Sequence, residues 1–128
     1  MEPLPIFSLP AKTYRDEHLT VDFDRRVAVL DSKYIVLTRK EYELLALFVQ
    51  HAGEIVPRAS LLLRVWGYGA GIRTRTLDVH VRRLRKKLGA YAGQYLETIF
   101  GVGYRFQPFQ AARTFQPEFG QRTMAIGA

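Results

Sequence analysis

The sequence predicts an α+β domain in which an N-terminal antiparallel β-sheet leads into three helices and a C-terminal β-hairpin. Three observations predict it. Apolar residues alternate in short pieces from Leu19 to Leu37, recur at helical spacing between Tyr42 and Leu88, then return to short extended runs on either side of Gly101-Val102-Gly103. The segment from Thr74 to Gly89, TRTLDVHVRRLRKKLG, carries two incompatible surfaces on one helix. Leu77, Val81, Leu84 and Leu88 share one face, while Arg75, Val79, Arg82, Arg83 and Lys86 point roughly the opposite way. One face requires a core, the other a polyanion.

Taken in order, Leu19, Val21 and Phe23, then Val27 and Val29, then Tyr34 to Leu37 after an Asp31-Ser32 turn read as a small antiparallel meander. Thr38-Arg39-Lys40-Glu41 has the form of a capping box, with the threonine hydroxyl on the N3 amide and the glutamate reaching back to the cap. A first helix follows, lined by Tyr42, Leu45, Val49 and Ala52 with Phe48 beside them, and Gly53 supplies its left-handed stop. Ile55-Val56 is a short extended piece. Pro57 opens a second helix, Arg58 to Trp66, with Leu62, Val65 and Trp66 inward. Gly67 to Gly71 is a loop, Thr74 caps the basic helix, and Gly89 ends it. Tyr95 to Phe100 and Tyr104 to Phe106 form the hairpin. Residues 1–11 read as an extension, 12–106 as the folded domain, and 107–128 as a flexible tail without periodicity.

The chain's 128 residues accommodate one domain, and 48% apolar residues suffice for its core. Lys and Arg number 19 against 12 Asp and Glu, a formal charge of +7. Arg64 to Leu88 holds eight basic residues and the single acid Asp78, so the whole net charge resides there. A localised basic stripe neutralises several phosphates at once, which points to nucleic acid; a membrane surface is disfavoured because no Trp or Phe interrupts the apolar stripe. The absence of cysteine excludes disulfides, thiolate metal sites and a cysteine nucleophile. Prolines at 3, 5 and 10, without a sustained apolar run, disfavour a signal peptide or membrane span at the N-terminus. The expectation is a cytoplasmic protein.

Strand meander, two helices, loop, basic helix and hairpin together describe a winged helix-turn-helix. Leu37 to Phe106 resembles the OmpR/PhoB family of response-regulator output domains, and the resemblance extends back to about residue 12. It is carried by LTRKEYELLALFVQHAGEIV, by Val65-Trp66-Gly67, by RTLDVHVRRLRKKLG from Arg75, and by ETIFGVGYRF from Glu97. The resemblance implies a four-stranded N-terminal sheet, a recognition helix in the major groove of double-stranded DNA, a wing beside the minor groove, and head-to-tail binding to direct repeats. It implies that Thr76, Val79 and Arg83 face the bases, and that phosphates meet Arg58, Trp66, His80, Thr98 and Tyr104.

Residue chemistry bears on these roles separately. Val79 is either an incidental surface valine or a contact for a thymine methyl, and the Arg83 fork can span guanine O6 and N7. Arg75, Arg82 and Lys86 suit phosphates, which position the helix without reading sequence. Trp66 can bury its ring and still offer its N–H. His80 lies on the flank of the apolar stripe, where packing or capping competes with phosphate contact. Asp78 is expected to pair with Arg82 at i+4. The loop from Tyr68 to Arg73 is either a connector or, as the resemblance permits, a contact for RNA polymerase.

Three departures from the family stand out. Phe100 occupies the place of an arginine that can enter the minor groove; it cannot donate to bases, so it packs at the groove edge or buries itself. Pro57 replaces a hydroxyl cap. No receiver fits ahead of the meander, which leaves an isolated effector or a stand-alone one. Enzyme readings lack support: there is no G-x-S-x-G elbow, and His18, His51 and His80 show no metal spacing with acids. The expected function is a sequence-specific DNA-binding transcription regulator without cofactor, the alternative a winged-helix protein-interaction module with weakened DNA binding. RNA binding ranks third, because stacking aromatics are not interleaved with the basic residues.

Overall fold

The computed structural model describes residues 12–69 and 73–110. Four strands, β1 (Thr13–Arg15), β2 (Leu19–Asp22), β3 (Val27–Leu30) and β4 (Lys33–Ile35), form an antiparallel sheet in sequential order. Asp31 and Ser32 both take positive φ, +49° and +69°, as a tight turn matched to the sheet's twist requires. The inward face of β3 differs from expectation. Ala28 is fully buried and stands opposite buried Val21, whereas Val27 and Val29 are only partly covered. Branched valines fit a pleated strand on either face, so composition does not reveal which side is inward; the register with β2 decides it.

Helix α1 (Arg39–Gln50) begins with the expected capping box: Thr38 Oγ1 accepts from the Glu41 amide, and Glu41 accepts from the Thr38 amide. Its buried set is wider than the single stripe, adding Leu44 and Leu47 to Tyr42, Leu45, Phe48 and Val49. Gly53, at φ +85°, turns the chain, and its amide donates to Phe106 O at 2.8 Å. Strand β5 (Ile55–Pro57) leads into α2 (Arg58–Leu61), which widens into a π-helical turn over Leu62–Trp66 before left-handed Gly67. Leu61, absent from the expected core, is fully buried beside Leu62 and Val65.

Helix α3 (Thr76–Leu88) is followed by a 3-10 turn at Gly89–Tyr91 and a short α4 (Ala92–Tyr95). Tyr95 therefore closes a helical turn instead of starting the hairpin. Strands β6 (Leu96–Ile99) and β7 (Gly103–Phe106) pair antiparallel, and β5 joins β7 from the other side, giving the order β5-β7-β6. Gly103 permits that approach, since a Cβ there would lie 2.1 Å from Val56 O.

Residues 107–110, which the sequence assigns to the tail, fold back onto the domain. Gln107 donates its amide to Tyr95 O at 2.9 Å, and the Phe109 amide donates to Asp16 Oδ2 at 3.1 Å. The Phe109 ring meets His18 edge-on at 4.5 Å and also contacts Tyr91 and Tyr95. The rest of the expected tail, 111–128, and the extension, 1–11, lie outside the described residues.

Glu41, 1% exposed, is the buried charge among the described residues; besides its capping role it receives Lys87 Nζ at 2.5 Å. Burial pushes its carboxyl upward, but Lys87 and the Thr38 amide outweigh burial and hold it below the ordinary 4.5. A depressed carboxyl stabilises the fold above its unfolded pKa and loses that contribution as pH falls through the folded value. Glu41→Gln should therefore cost about 1 to 3 kcal/mol at neutral pH, since Lys87 loses its charged partner. Its melting temperature should also fall less steeply than the wild type's as pH drops from about 5 to 3. Identical pH slopes for the two proteins in thermal unfolding would refute this linkage.

Candidate nucleic-acid interface

Helix α3 separates its two surfaces cleanly. Leu77, Val81, Leu84 and Leu88 are at most 1% exposed, while Arg75, Arg82, Arg83 and Lys86 stand in solvent. Thr76, Val79 and His80 are half-buried along the margin. The helix starts at Thr76 with Arg75 as its cap residue, so Thr74 is not the cap. Its hydroxyl nevertheless accepts from the Thr76 amide at 3.1 Å, supplying an orphan donor from one position farther out.

Two of the segment's basic residues face the fold instead of solvent. Arg85 Nη2 donates to Leu96 O at 3.0 Å and Thr98 Oγ1 at 2.7 Å, with its guanidinium 5.6 Å from the Tyr104 ring centroid. Lys87 is committed to Glu41. Both pairings tie α3 to distant elements, and their partners cannot be inferred from helical spacing. The sequence count therefore overstates the charge the outer face presents.

Asp78 does not pair with Arg82. Its carboxylate receives Arg58 Nη1 at 2.5 Å and Nη2 at 3.2 Å, and the Tyr104 hydroxyl donates to it at 2.7 Å. The first turn of α3 faces α2 and the wing, where a planar guanidinium fork offers two bonds in fixed geometry; an i+4 partner on the exposed face offers a looser, hydrated pair. Arg58 holds the Asp78 carboxyl below its ordinary 3.8, with the Tyr104 hydroxyl adding to the effect. Burial and then the neighbouring carboxylate raise the Tyr104 phenol.

The remaining predicted residues fall around this node. Arg58, Thr98, Phe100 and Tyr104 line a cleft of about 280 Å³ that also includes Asp78, Ile99 and Gly101–Gly103. Tyr104 is 7% exposed, so only a small part of it reaches the surface. Thr98 accepts from Arg85 and retains its own hydroxyl proton for donation. On the opposite flank, His80 approaches Trp66 edge-on at 5.0 Å and pairs through Nδ1 with Thr76 O at 2.9 Å. Packing and local bonding thus engage His80, as its flank position suggested. Phe100 sits at the hairpin tip with 90% of its surface exposed, which overturns the buried alternative. The loop expected from Tyr68 to Arg73 lies partly outside the described residues, which omit 70–72.

The profile of the family described as transcriptional regulatory protein, C terminal, matches residues 32–106. The chain belongs to this family. Over 94 residues it is 38% identical to the transcriptional regulatory protein SrrA of Staphylococcus aureus, covering 71% of this chain and 39% of the relative. It therefore spans about two fifths of the length of the curated relatives it matches. Among solved structures, the Klebsiella pneumoniae RstA DNA-binding domain in complex with the RstA box superposes with a TM-score of 0.71 and 32% identity, covering 77% of this chain and 100% of that one. DrrB of Thermotoga maritima, described as an OmpR/PhoB homolog, gives 0.68 and 32%, covering 75% of this chain and 44% of its own. The Escherichia coli CpxR DNA-binding domain gives 0.69 and 29%, covering 77% and 98%. The fold is that of winged-helix response-regulator output domains, and the family is one of transcription regulators, not of enzymes.

The exposure of Phe100 has a direct consequence for stability. Phe100→Arg should leave the melting temperature essentially unchanged, because no apolar neighbour strands the new charge. A clear loss in thermal unfolding would show that the ring is covered in solution.

Proposed function

We propose that this domain is the output module of a response regulator and binds double-stranded DNA in a sequence-dependent manner, with α3 lying in the major groove. The observation that carries the proposal is the pairing of a fully buried stripe on α3 with an outward row of Arg75, Arg82, Arg83 and Lys86. The RstA relative, solved with its DNA box, supports it. In this reading Thr76, Val79 and Arg83 face bases: the valine meets a thymine methyl and the arginine fork a guanine. Arg75, Arg82 and Lys86 meet phosphates on either side. Arg58, Trp66, His80 and Thr98 flank the groove and grip the backbone, with Thr98 still able to donate, and Tyr104 joins them by turning its hydroxyl proton from Asp78 to a phosphate.

The wing lies beside the minor groove. Phe100 at its tip supplies apolar contact at the groove edge without donating to bases. Subunits bind direct repeats head to tail, the 68–73 loop meets RNA polymerase, and the protein acts in the cytoplasm without enzymatic activity. A second reading draws support from the same tip, where Phe100 and Val102 are 90% and 45% exposed: a protein-interaction module whose wing engages a partner.

Selection of bound duplexes from a random pool separates the two. An enriched direct-repeat motif supports the first reading, and no enrichment at low salt favours the second. On the selected site, Arg83→Ala should cost about 1 to 3 kcal/mol and relax preference at one base position. Equal losses on selected and random duplexes would reduce Arg83 to a phosphate contact. Binding should weaken steeply with salt, and removal of either Arg82 or Lys86 should lower the logarithmic salt slope by about one unit. An unchanged slope after both substitutions would place the duplex elsewhere.

A further inference from the structure

Asp78 is the one acid among the eight basic residues of Arg64 to Leu88. A carboxylate on a surface that meets phosphates opposes binding, because its charge repels them and offsets a neighbouring cation. Its position in the first turn of α3 suits the helix dipole. That local benefit does not explain why it joins three elements. The carboxylate takes both Nη atoms of Arg58 at the start of α2 and the hydroxyl of Tyr104 in β7, from its own place at the start of α3. These three residues also line the cleft that runs to the wing tip.

We infer that Asp78 is a specificity-determining positioning residue, which locks Arg58 and the wing strand to the first turn of α3 and denies random DNA an unpaired cation. This rests on the reading of the domain as a DNA binder. With Arg58 clamped, the guanidinium can reach a phosphate only along its remaining edge, in the one orientation that the helix start dictates. A matching duplex satisfies that contact and the base contacts of α3 together. A random duplex gains from charge alone, and Asp78 keeps that charge partly cancelled.

The two roles give Asp78→Asn opposite effects on the two kinds of DNA. Asparagine keeps the shape, but its single carbonyl oxygen cannot take both guanidinium ends and the phenol. Fluorescence anisotropy with the selected duplex and a random one, each across a salt series, reads the outcome. Affinity for random duplex should rise about twofold at low salt, and its salt slope should steepen by about one unit as Arg58 becomes an independent phosphate ligand. The preference for the selected site should fall about tenfold. Adding Arg58→Gln to Asp78→Asn should return the random-duplex slope to the wild-type value.

Asp78→Glu keeps the charge while displacing the clamp. It should lose preference for the selected site without gaining affinity for random duplex, and it decides the matter if the asparagine variant fails to fold. An asparagine variant that folds and discriminates as well as the wild type overturns the inference, as does equal weakening on both duplexes. So does a folded glutamate variant with full discrimination where the asparagine variant cannot be measured. A wild-type protein that shows no preference for any duplex refutes instead the sequence-dependent binding on which this inference rests.

Discussion

Leu77, Val81, Leu84 and Leu88 hold α3 in place, and the usefulness of its charged face depends on that hold. Each is at most 1% exposed. Burying such a side chain contributes roughly 1.5 to 3 kcal/mol, so together they outweigh the repulsion among cations crowded on the other side. Rotation of the helix about its axis would expose the leucines before it brought a different set of basic residues outward. The apolar stripe thereby selects which side chains face solvent. Glu41 and Lys87 add a directional restraint that apolar packing lacks, since an ion pair and a capping box share one carboxylate. The start of α1 and the last turn of α3 are thus positioned by the same group.

What could be read from the sequence was local. The capping box from Thr38 to Glu41, the Asp31-Ser32 turn and the helical stripe of α3 each depend on residues within a few positions of one another, so spacing alone exposes them. The candidate interface was legible for the same reason, as Arg75, Arg82, Arg83 and Lys86 lie on one helical face. Pairings across the fold were not. Lys87 reaches Glu41 over 46 positions, and Arg58 reaches Asp78 over 20. Charge pattern identifies many possible partners for each, and only the packing of α1 and α2 against α3 selects among them. Ala28 illustrates the same limit in a strand: its burial follows from the register with Val21, not from its own hydrophobicity.

The basic segment accordingly divides into two functions that composition merges. Arg85 and Lys87 spend their donors inside the protein, on Leu96, Thr98 and Glu41. Arg75, Arg82, Arg83 and Lys86 keep theirs in solvent. An inward arginine can bond a carbonyl, a hydroxyl and an aromatic face at once, as Arg85 does, and so joins the wing to the helix it accompanies.

Asp16 gathers donors from both ends of the described chain: the hydroxyls of Tyr14 and Tyr95, the amides of His18 and Leu19, and the amide of Phe109. Two of these contacts close loops of 79 and 93 residues. Loop-closure entropy makes such contacts costly to form before the intervening chain has folded, whereas the capping box and hairpin close at once. On this entropy argument the N-terminal sheet and the segment after the wing are expected to join later than those local motifs. In the finished domain this closure reaches the core through Tyr95, whose fully buried ring stacks on Phe106 while its hydroxyl bonds Asp16. One carboxylate thus makes the anchoring of the first strand and that of the segment after the wing interdependent, so loss of Asp16 would loosen both ends at once.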